Sequence, residues 1–357
     1  MISVRSLSAR RGKFAIDDVS FDIPRGCYGM IIGPAGAGKT TTLEAIAGLI
    51  PAKAGHVLLG GEDVTTRPPE ARRLAIVYQH AYLFPHLSVR DNIHYGAREP
   101  AIASDLSERF GLLELGARNV STLSGGERQL VAIVRALASG PEVLLLDEPF
   151  AALDPRTRAG ARRALKVVHA ERLFTVLHVT HDFNEAGSVG DVAVLMDGGR
   201  VIQAGPPAEV FRKPATAHAA GFLGAENILA GIARPIRDRA PDWAAGDPAA
   251  FEEHAVAFSV GGLTMYALGD SLPGPANAII RAEEIAISLE PEASSVRNQF
   301  SGRVVEINPS GAITRVTVDA AGTAFVAALT SRSVEELHLS IGREVVVAFK
   351  ATAVHLC

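Results

Sequence analysis

The run GPAGAGKTT, Gly33 to Thr41, constrains the fold more than any other part of the chain. It matches G-x-x-x-x-G-K-[ST], in which glycines let backbone N–H groups close around phosphate oxygens. The apolar run CYGMIIG before it predicts a strand. The run TTTLEAIAGLI after it predicts a helix that Pro51 ends, so the positive end of the helix dipole faces the loop. A glycine-rich surface turn would need neither neighbour. We therefore predict a phosphate-binding loop made of Gly33, Pro34, Ala35, Gly36, Ala37, Gly38, Lys39, Thr40 and Thr41.

Phosphoryl transfer needs more than a loop, and the sequence offers the other groups. Lys39 is predicted to reach the β- and γ-phosphates, and the Thr40 hydroxyl to ligate Mg²⁺. Asp147 ends the apolar run VLLLD, in the place expected for a metal ligand. Glu148 follows as the candidate general base. Two acids after a strand are more often a solvated turn, but the buried strand before them and the phosphate loop favour catalysis.

Apolar runs and helical patterns alternate through the first half of the chain. The runs RLAIVYQ, EVLLLDEP and FTVLHVTHD predict buried strands, and ERQLVAIVRALASGP and RTRAGARRALKVVHAERL predict helices. This alternation predicts an α/β domain with a mostly parallel sheet over residues 1–225. The run DVAVLMDGGRVIQAG predicts a hairpin that turns at Gly198 and Gly199.

The composition changes after about residue 224. A polar, proline-containing stretch over residues 234–255 has no clear period, and short strand-like runs dominate from Phe300 onward. Short strands separated by turns predict a small all-β, OB-like barrel, which we assign to residues 226–357 and most clearly to 295–357. Whether residues 226–290 form a degraded copy of the terminal barrel is left open.

Composition limits the classes of function. The 357 residues suffice for two or three domains, and a net charge of −4 gives no sign of a nucleic-acid surface. The two cysteines, Cys27 and Cys357, cannot build a disulfide framework and are consistent with a reducing compartment. No apolar run approaches the ~18 residues of a membrane helix, and the N-terminus lacks the apolar region of a signal peptide. We expect no membrane span.

Further motifs narrow the class of nucleotide hydrolase. The run LSGGERQ (Leu123–Gln129) precedes the two carboxylates, Gln79 ends IVYQ, Asp154 lies in ALDP and His181 lies in VTHD. In this order and spacing, these motifs resemble the ABC transporter ATPases over roughly residues 1–225. The resemblance implies ATP and Mg²⁺ as cofactors. It implies that Gln79 contacts Mg²⁺ and the attacking water, that His181 contacts the γ-phosphate, and that Asp154 contacts a second subunit.

The LSGGERQ run also predicts an anion site. Ser124, Gly125 and Gly126 offer backbone N–H groups and a hydroxyl where a helix begins, although an ordinary helix cap would use the same residues. In the family this signature faces the nucleotide of the opposite subunit, which implies a head-to-tail homodimer with two-fold symmetry. The family also places an aromatic ring against adenine. A gapless count puts Arg10 at that position, and Phe14 lies nearby, so the adenine contact is left open between them.

The resemblance extends to the kind of transporter. It implies an importer ATPase at the cytoplasmic face of the inner membrane, with a separate permease and an extracytoplasmic solute-binding protein. The run Tyr78–Ile93 is the expected permease contact, and ordinary core packing is the alternative for its apolar residues.

The C-terminal runs Ser295–Ile307 and Ala328–Leu356 resemble the TOBE or molbindin-like oxyanion module. Together with the cassette motifs they resemble molybdate/tungstate importer ATPases. A sulfate, iron, polyamine or other importer, whose barrel only braces the dimer, stays the alternative. We predict that the barrel binds molybdate or tungstate and thereby restrains transport. Ser333 is predicted to begin a helix through a capping box. The candidate anion ligands are Thr330, Ser331, Ser333 and Lys350.

Overall fold

The computed structural model describes residues 1–181, 190–236, 255–269 and 273–357. Its contacts divide the chain into two units, Met1–Val210 and Phe211–Cys357. The division lies before the 225/226 boundary of the sequence analysis because the intervening segment packs within the second unit. Ala220 and Ala225 pack on Ile279, and Arg281 donates to a backbone carbonyl at Leu223.

The first unit is built from two sheets and the helices around them. Its strands are β1 (Ile2–Arg11), β2 (Phe14–Ile23), β3 (Tyr28–Ile32), β4 (Ala52–Leu59), β5 (Glu62–Asp63), β6 (Leu74–Val77), β7 (Val143–Asp147), β8 (Thr175–Val179), β9 (Val192–Asp197) and β10 (Arg200–Gly205). Its helices are α1 (Lys39–Ala47), α2 (Val89–His94), α3 (Pro100–Arg109), α4 (Gly125–Ala138) and α5 (Pro155–Arg172), and α6 (Pro207–Arg212) crosses the division between the units.

The central sheet has the strand order β10-β9-β3-β8-β7-β6, and only its hairpin strand β10 runs antiparallel. Strands β3, β7 and β8 are buried along their whole length, which explains their continuous apolar runs. The predicted parallel α/β domain and the β9–β10 hairpin are thus confirmed. The carboxyl ends of β3, β6, β7 and β8 lie along one edge, where ligands bind in open parallel sheets.

A second sheet, with the order β2-β1-β4-β5, is antiparallel and lies outside the predicted strands. Its hydrophobic face shares one core with α1 and the central sheet. The end of α1 also differs from the sequence prediction. The helix ends at Ala47, because Gly48 adopts a left-handed conformation (φ 79°) and its N–H returns to the last turn, so Pro51 is not what stops it.

The second unit contains two five-stranded antiparallel sheets, β13-β12-β11-β14-β20 and β15-β19-β16-β17-β18, which share one core. This confirms the predicted all-β, OB-like domain. Its strands are β11 (Asn227–Pro235), β12 (Ala255–Val260), β13 (Leu263–Leu268), β14 (Gly274–Ile280), β15 (Ala286–Ser288), β16 (Asn298–Ser310), β17 (Ile313–Ala320), β18 (Thr323–Thr330), β19 (Glu344–Phe349) and β20 (His355–Leu356). Its helices are α7 (Ala217–Phe222) and α8 (Ser331–Glu336).

The two halves of this unit repeat one arrangement. Each begins with a buried asparagine whose side-chain amide pairs with the backbone of a strand in the other half: Asn227 with Val326, and Asn298 with Tyr266. The last strand of each half also crosses over, so that β15 pairs with β19 and β20 pairs with β14. Residues 226–290, as far as they are described, therefore share with the terminal half a buried asparagine at the start and a last strand that pairs with the other half.

Candidate nucleotide site

The phosphate loop is held tightly against the rest of the first unit. A Cβ atom at Gly33 would lie 2.1 Å from the Met196 carbonyl oxygen. Gly38, which precedes α1, has φ 99°, and a Cβ there would lie 2.8 Å from Ile16 Cγ2. Side chains are therefore excluded at both positions, and the loop lies directly at the start of α1.

A cavity of about 330 Å³ lies beside this loop. It brings together five segments that are separated in the sequence. The lining residues are Arg11, Phe14, Gly36, Ala37, Gly38, Lys39, Thr40, Thr41, Gln79, Asp147, Glu148 and Val179. Of the predicted loop residues, Gly33, Pro34 and Ala35 lie outside this lining.

Lys39 reaches back across the loop. Its ammonium donates hydrogen bonds to the carbonyl oxygens of Gly33 (2.7 Å) and Pro34 (2.9 Å). Burial lowers the pKa of the Lys39 ammonium, and the carboxylates of Glu148 and Asp147 oppose that shift. The cation thus borders the cavity opposite two acids, as a group that neutralises phosphate charge must.

Thr40 and Asp147 form the pair of oxygen donors predicted for the metal. The Thr40 hydroxyl lies 3.1 Å and 3.0 Å from the two carboxylate oxygens of Asp147. Asp147 is only 5% exposed. Burial raises the pKa of its carboxyl group, and the hydrogen bond from Thr40 acts in the opposite direction. A hydroxyl and a carboxylate at the end of a phosphate site fit Mg²⁺. This ion prefers oxygen ligands, and proteins usually bind it with one or two side chains together with substrate phosphates and waters.

Glu148 is held in an unusual backbone conformation. Its φ is 48°, which non-glycine residues seldom adopt. Its N–H donates to the Val179 carbonyl at 3.0 Å, so the turn after β7 is fastened to the end of β8. His181, just beyond β8, places Nδ1 at 2.8 Å and 2.6 Å from the two oxygens of the Glu148 carboxylate. A hydrogen-bonded contact therefore links Glu148, the predicted base, with His181, the predicted γ-phosphate contact.

Gln79 is exposed and lines the cavity just after β6. The preceding turn is fastened by a residue that the sequence analysis did not single out. Gln129 of α4 is 1% exposed, and its amide donates to the Tyr78 carbonyl at 2.8 Å. Gln129 is the last residue of the LSGGERQ motif, so the sequence identified it as a motif residue. The sequence did not show that its amide binds the Tyr78 carbonyl.

The signature residues Ser124, Gly125 and Gly126 do not line the cavity of their own chain. Ser124 begins α4 through a capping box, accepting from the Glu127 N–H at 3.2 Å. A Cβ at Gly126 would lie 3.0 Å from Leu153, which accounts for that glycine, whereas no atom of the described residues lies within 4 Å of a Cβ built at Gly125.

Asp154 likewise acts as a cap within its own chain. Its carboxylate accepts from the N–H groups of Arg156 (3.0 Å) and Thr157 (3.1 Å) at the start of α5. A hydrogen bond from the Thr157 hydroxyl, together with those from the N–H groups of Thr157 and Arg156, lowers the pKa of the Asp154 carboxyl group.

The structure separates the two candidates for the adenine contact. Phe14 lines the cavity and Arg10 does not. Arg11, which the sequence analysis passed over, is the register partner of Phe14 across the β1–β2 turn and lines the cavity beside it. Successive strand residues alternate between faces, so Arg10 and Arg11 lie on opposite faces of the hairpin.

The candidate oxyanion residues of the second unit are only partly brought together. Thr330, not Ser333, caps α8: its hydroxyl oxygen accepts from the Ser333 N–H at 3.1 Å. The prediction that Ser333 begins the helix is wrong, because the extended Thr330 at the end of β18 lies one helical turn earlier with an equivalent hydroxyl. Ser331 is the first helical residue. Lys350 follows β19 where that strand pairs with the start of β16, whereas Thr330 pairs with Ile313 beside the far end of β16.

Comparisons with known proteins agree with this architecture. An ABC transporter family model matches residues 16–151, and a TOBE domain model matches residues 294–356. A molybdate/tungstate import ATP-binding protein, WtpC, from Pyrococcus abyssi is 40% identical over 99% of this chain and 99% of that protein. The chain belongs to the ABC transporter ATP-binding proteins. It shares 37% identity, over 99% of its length and 97% of the relative, with a sulfate/thiosulfate import ATP-binding protein from Chromobacterium violaceum.

Among solved structures, this ABC ATPase is similar to the dimeric ATP-binding cassette MJ0796, bound to ADP and Pi in a post-hydrolysis state. The TM-score is 0.53 at 28% sequence identity, over 58% of this chain and 99% of that one. The resemblances to ABC ATPases and to TOBE domains inferred from the sequence are thus confirmed. In the described part of the chain, no helix has the length and apolar character needed to cross a membrane.

Proposed function

We propose that this ABC ATPase hydrolyses ATP to drive the import of molybdate or tungstate through a separate permease. Two full-length relatives named for molybdate/tungstate import share 40% and 39% identity with the chain. Full-length relatives named for sulfate/thiosulfate and Fe(3+) import share 37% and 36%. The higher sequence identity with the molybdate/tungstate relatives favours those anions over sulfate, thiosulfate or iron as the transported solute. The proposal of hydrolysis rests on one observation: Lys39, Thr40, Asp147 and Glu148 line the same cavity.

The first step is binding of the phosphates. The amides at the start of α1 and the Lys39 ammonium would hold the phosphate oxygens. Thr40 and Asp147 would hold Mg²⁺, with Gln79 at its open side. When bound, Mg²⁺ draws charge from the β- and γ-phosphate oxygens.

The second step is attack by water. Glu148 is placed to accept the proton of the attacking water, because its carboxylate borders the cavity and its backbone is fixed to β8. His181 holds that carboxylate by a hydrogen bond and would itself reach the γ-phosphate. Gln79 completes the set that orients the water.

The third element is a second copy of the chain. Ser124, Gly125 and Gly126 lie outside the cavity of their own chain, and within the part of that chain that the structure describes no atom crowds a side chain at Gly125. Both observations are expected if these residues and Asp154 complete the partner's site in a two-fold homodimer. The similar cassette MJ0796 is described as dimeric.

The contact with the permease is proposed at residues 78–93 together with the neighbouring Tyr95, on the cytoplasmic side of the inner membrane. Tyr82 is 67% exposed and Tyr95 is 59% exposed, an unusual pair of open rings. Arg135 of α4 makes two contacts with this segment. Its guanidinium donates to the Tyr82 carbonyl and lies 5.1 Å from the centre of the Phe84 ring. An extracytoplasmic binding protein would deliver the solute to the permease.

The second unit is proposed to bind the transported oxyanion and restrain the ATPase. Three hydroxyl groups gather at the start of α8, where Thr330 and Ser333 lie 2.8 Å apart and Ser331 lies 3.3 Å from Thr314. Lys350 would supply charge from the end of β19. Calorimetry of the full chain with molybdate, compared with a Thr330→Ala, Ser331→Ala double variant, tests this role. Equal heats for the two proteins would remove it.

The experiment for the whole proposal is ATPase activity of the chain reconstituted with its permease in vesicles. Binding proteins loaded with molybdate, tungstate, sulfate or ferric iron are supplied in turn. We expect stimulation by the molybdate- and tungstate-loaded proteins and none by the others. If only the sulfate- or iron-loaded binding proteins stimulated the ATPase, the molybdate/tungstate assignment would be wrong and the alternative importer class would be favoured.

A further inference from the structure

A buried polar pair joins two central strands whose residues are otherwise largely apolar. Tyr28 of β3 and His178 of β8 are each 2% exposed, and the Tyr28 hydroxyl lies 2.9 Å from Nδ1 of His178. The strands are parallel neighbours, so the pair lies on one face of the central sheet. Burial, and secondarily the charge of Arg162, lower the pKa of the His178 imidazole to about 3. The ring is therefore neutral at neutral pH, and the mechanism above does not use it.

The turn that carries Glu148 packs against the His178 ring. Phe150 is 3% exposed, and its ring meets the His178 ring edge-on, with the centroids 5.7 Å apart and the planes at 74°. Val179, the next residue of β8, accepts the Glu148 N–H at 3.0 Å. Two adjacent residues of β8 therefore hold two residues of one turn. Val179 holds the backbone of Glu148, and His178 holds the ring of Phe150.

The backbone of Phe150 is held as well. Its carbonyl accepts hydrogen bonds from Arg158 of α5 (3.2 Å) and from the Leu153 N–H (3.1 Å). Glu148, two residues earlier, has a φ of 48°. Such a conformation persists only where the surrounding contacts enforce it. The contact between Phe150 and His178 is one of those contacts, so the orientation of the His178 ring bears on the conformation of Glu148.

We infer that His178 is a positioning residue for Glu148, and that the Tyr28 hydroxyl sets the plane of the His178 ring. This rests on the proposed role of Glu148 in hydrolysis. The outer torsion of a histidine side chain has broad minima, so a hydrogen bond at one ring nitrogen selects one orientation. Phe150 then packs edge-to-face on a fixed ring. An apolar side chain at residue 178 would fill the space without fixing the angle at which Phe150 packs.

Tyr28→Phe removes a single oxygen atom and tests the inference. Phosphate release by the full chain with Mg²⁺ and ATP in a single turnover gives the rate. Calorimetry with an ATP analogue that has a nitrogen bridging the β- and γ-phosphates gives the affinity. A misplacement of ~1 Å can slow a reaction about a hundredfold, so we expect release to be about tenfold slower for a smaller shift. The affinity should stay unchanged, because the contacts of Lys39 and Thr40 do not involve the pair.

His178→Leu should slow release to a similar extent, and His169→Leu is its matched control. His169 of α5 also packs edge-on against Tyr28, with ring centroids 5.4 Å apart, but it is not part of the contact with Phe150. The control should hydrolyse ATP at the normal rate. Combining Tyr28→Phe with Glu148→Gln should cause no slowing beyond that of Glu148→Gln, because the pair acts through Glu148.

A double variant separates positioning from stability. Tyr28→Phe alone removes the hydroxyl from a buried ring nitrogen and should lower the free energy of unfolding. Adding His178→Leu removes both members of the hydrogen bond, so most of that stability should return in urea titrations. We expect phosphate release to remain about tenfold slow in this double variant, because nothing restores the fixed ring.

Recovery of the rate together with the stability would overturn the inference, because the pair would then serve only the fold. Unchanged rates in both Tyr28→Phe and His178→Leu would also overturn it, as would a loss of analogue affinity equal to the loss of rate. If the unmodified chain did not hydrolyse ATP, the proposed ATPase and this inference would fail together. That result is distinct from normal hydrolysis that the variants leave unchanged.

Discussion

Replacing Glu148 with glutamine is the sharpest perturbation of the proposed hydrolysis. Glutamine keeps the shape of the side chain and can still meet His181, which lies 2.6–2.8 Å from the carboxylate oxygens. It cannot accept a proton from water. The contacts of Lys39 with the loop and of Thr40 with Asp147 do not involve Glu148, so the phosphate and metal contacts should survive.

The magnitude follows from what is removed. A positioned general base contributes a factor of about 10²–10⁴, so we expect kcat to fall by about 10³. Binding should not weaken. Burial lowers the pKa of the Lys39 ammonium, and the Glu148 carboxylate opposes that shift, so its charge acts at the phosphate side of the cavity. Removing a negative charge there lessens its repulsion of the triphosphate, so the Kd for MgATP should stay equal or fall slightly.

The assay combines phosphate release in a single turnover with gel filtration in the presence of ATP. We expect little phosphate release from Glu148→Gln and a shift to dimer size that ATP, and not ADP, produces. Glu171→Gln makes the same chemical change at an exposed ion pair on α5, and it should hydrolyse ATP normally. Near-normal turnover by Glu148→Gln would refute its role as the base.

Three further perturbations test other parts of the structure. Ser124→Arg should abolish ATPase activity and should also impair a wild-type chain in mixed dimers, because each site uses the partner's signature; full activity per wild-type chain in mixing assays would contradict the shared site. Burial raises the pKa of the Asp147 carboxyl group, so its ionisation lowers stability; this cost is absent below the unfolded pKa, grows between the two pKa values and is complete above the folded pKa. Asp147→Asn without nucleotide should therefore melt at a higher temperature than the unmodified chain at pH 7.5 but not at pH 3.5, while losing Mg²⁺-dependent ATP binding; scanning calorimetry across pH would show whether that sign is right. Asn227→Leu should lower the free energy of unfolding of the second unit by about 3 kcal/mol in urea titrations, because the backbone N–H and C=O of Val326 both lose the partners they have at 2.6 Å and 2.9 Å; a loss under about 1 kcal/mol would mean that water replaces them.

The parts of the site that were predicted from sequence are those in which a short motif fixes its own local geometry. The phosphate loop is an example, because glycine spacing, a preceding apolar run and a following helix all act within about one turn or strand. Asp147 and Glu148 were placed by the continuous apolar run before them. The parallel sheet then brings the ends of these segments to one edge, a consequence of topology that alternation alone indicates.

The residues that were missed depend on pairings between distant segments. Arg11 lines the cavity because the register of β1 and β2 pairs it with Phe14, and the sequence alone does not fix that register. Ser333 was misplaced because Thr330 and Ser333 offer equivalent hydroxyls one turn apart, and only the end of β18 decides which one caps α8.

The signature helix α4 connects two functions that the sequence motifs leave separate. Its first residues, Ser124 to Gly126, are those proposed to reach the partner's nucleotide. Five residues after Ser124, the buried Gln129 holds the Tyr78 carbonyl, next to the Gln79 that borders the chain's own cavity. Because Gln129 is on the same helix, a shift of Gln79 toward a bound nucleotide bears directly on the groups offered to the other subunit. The hydrogen bond from Gln129 therefore joins the turn beside the chain's own cavity to the helix whose first residues are proposed to reach the other subunit.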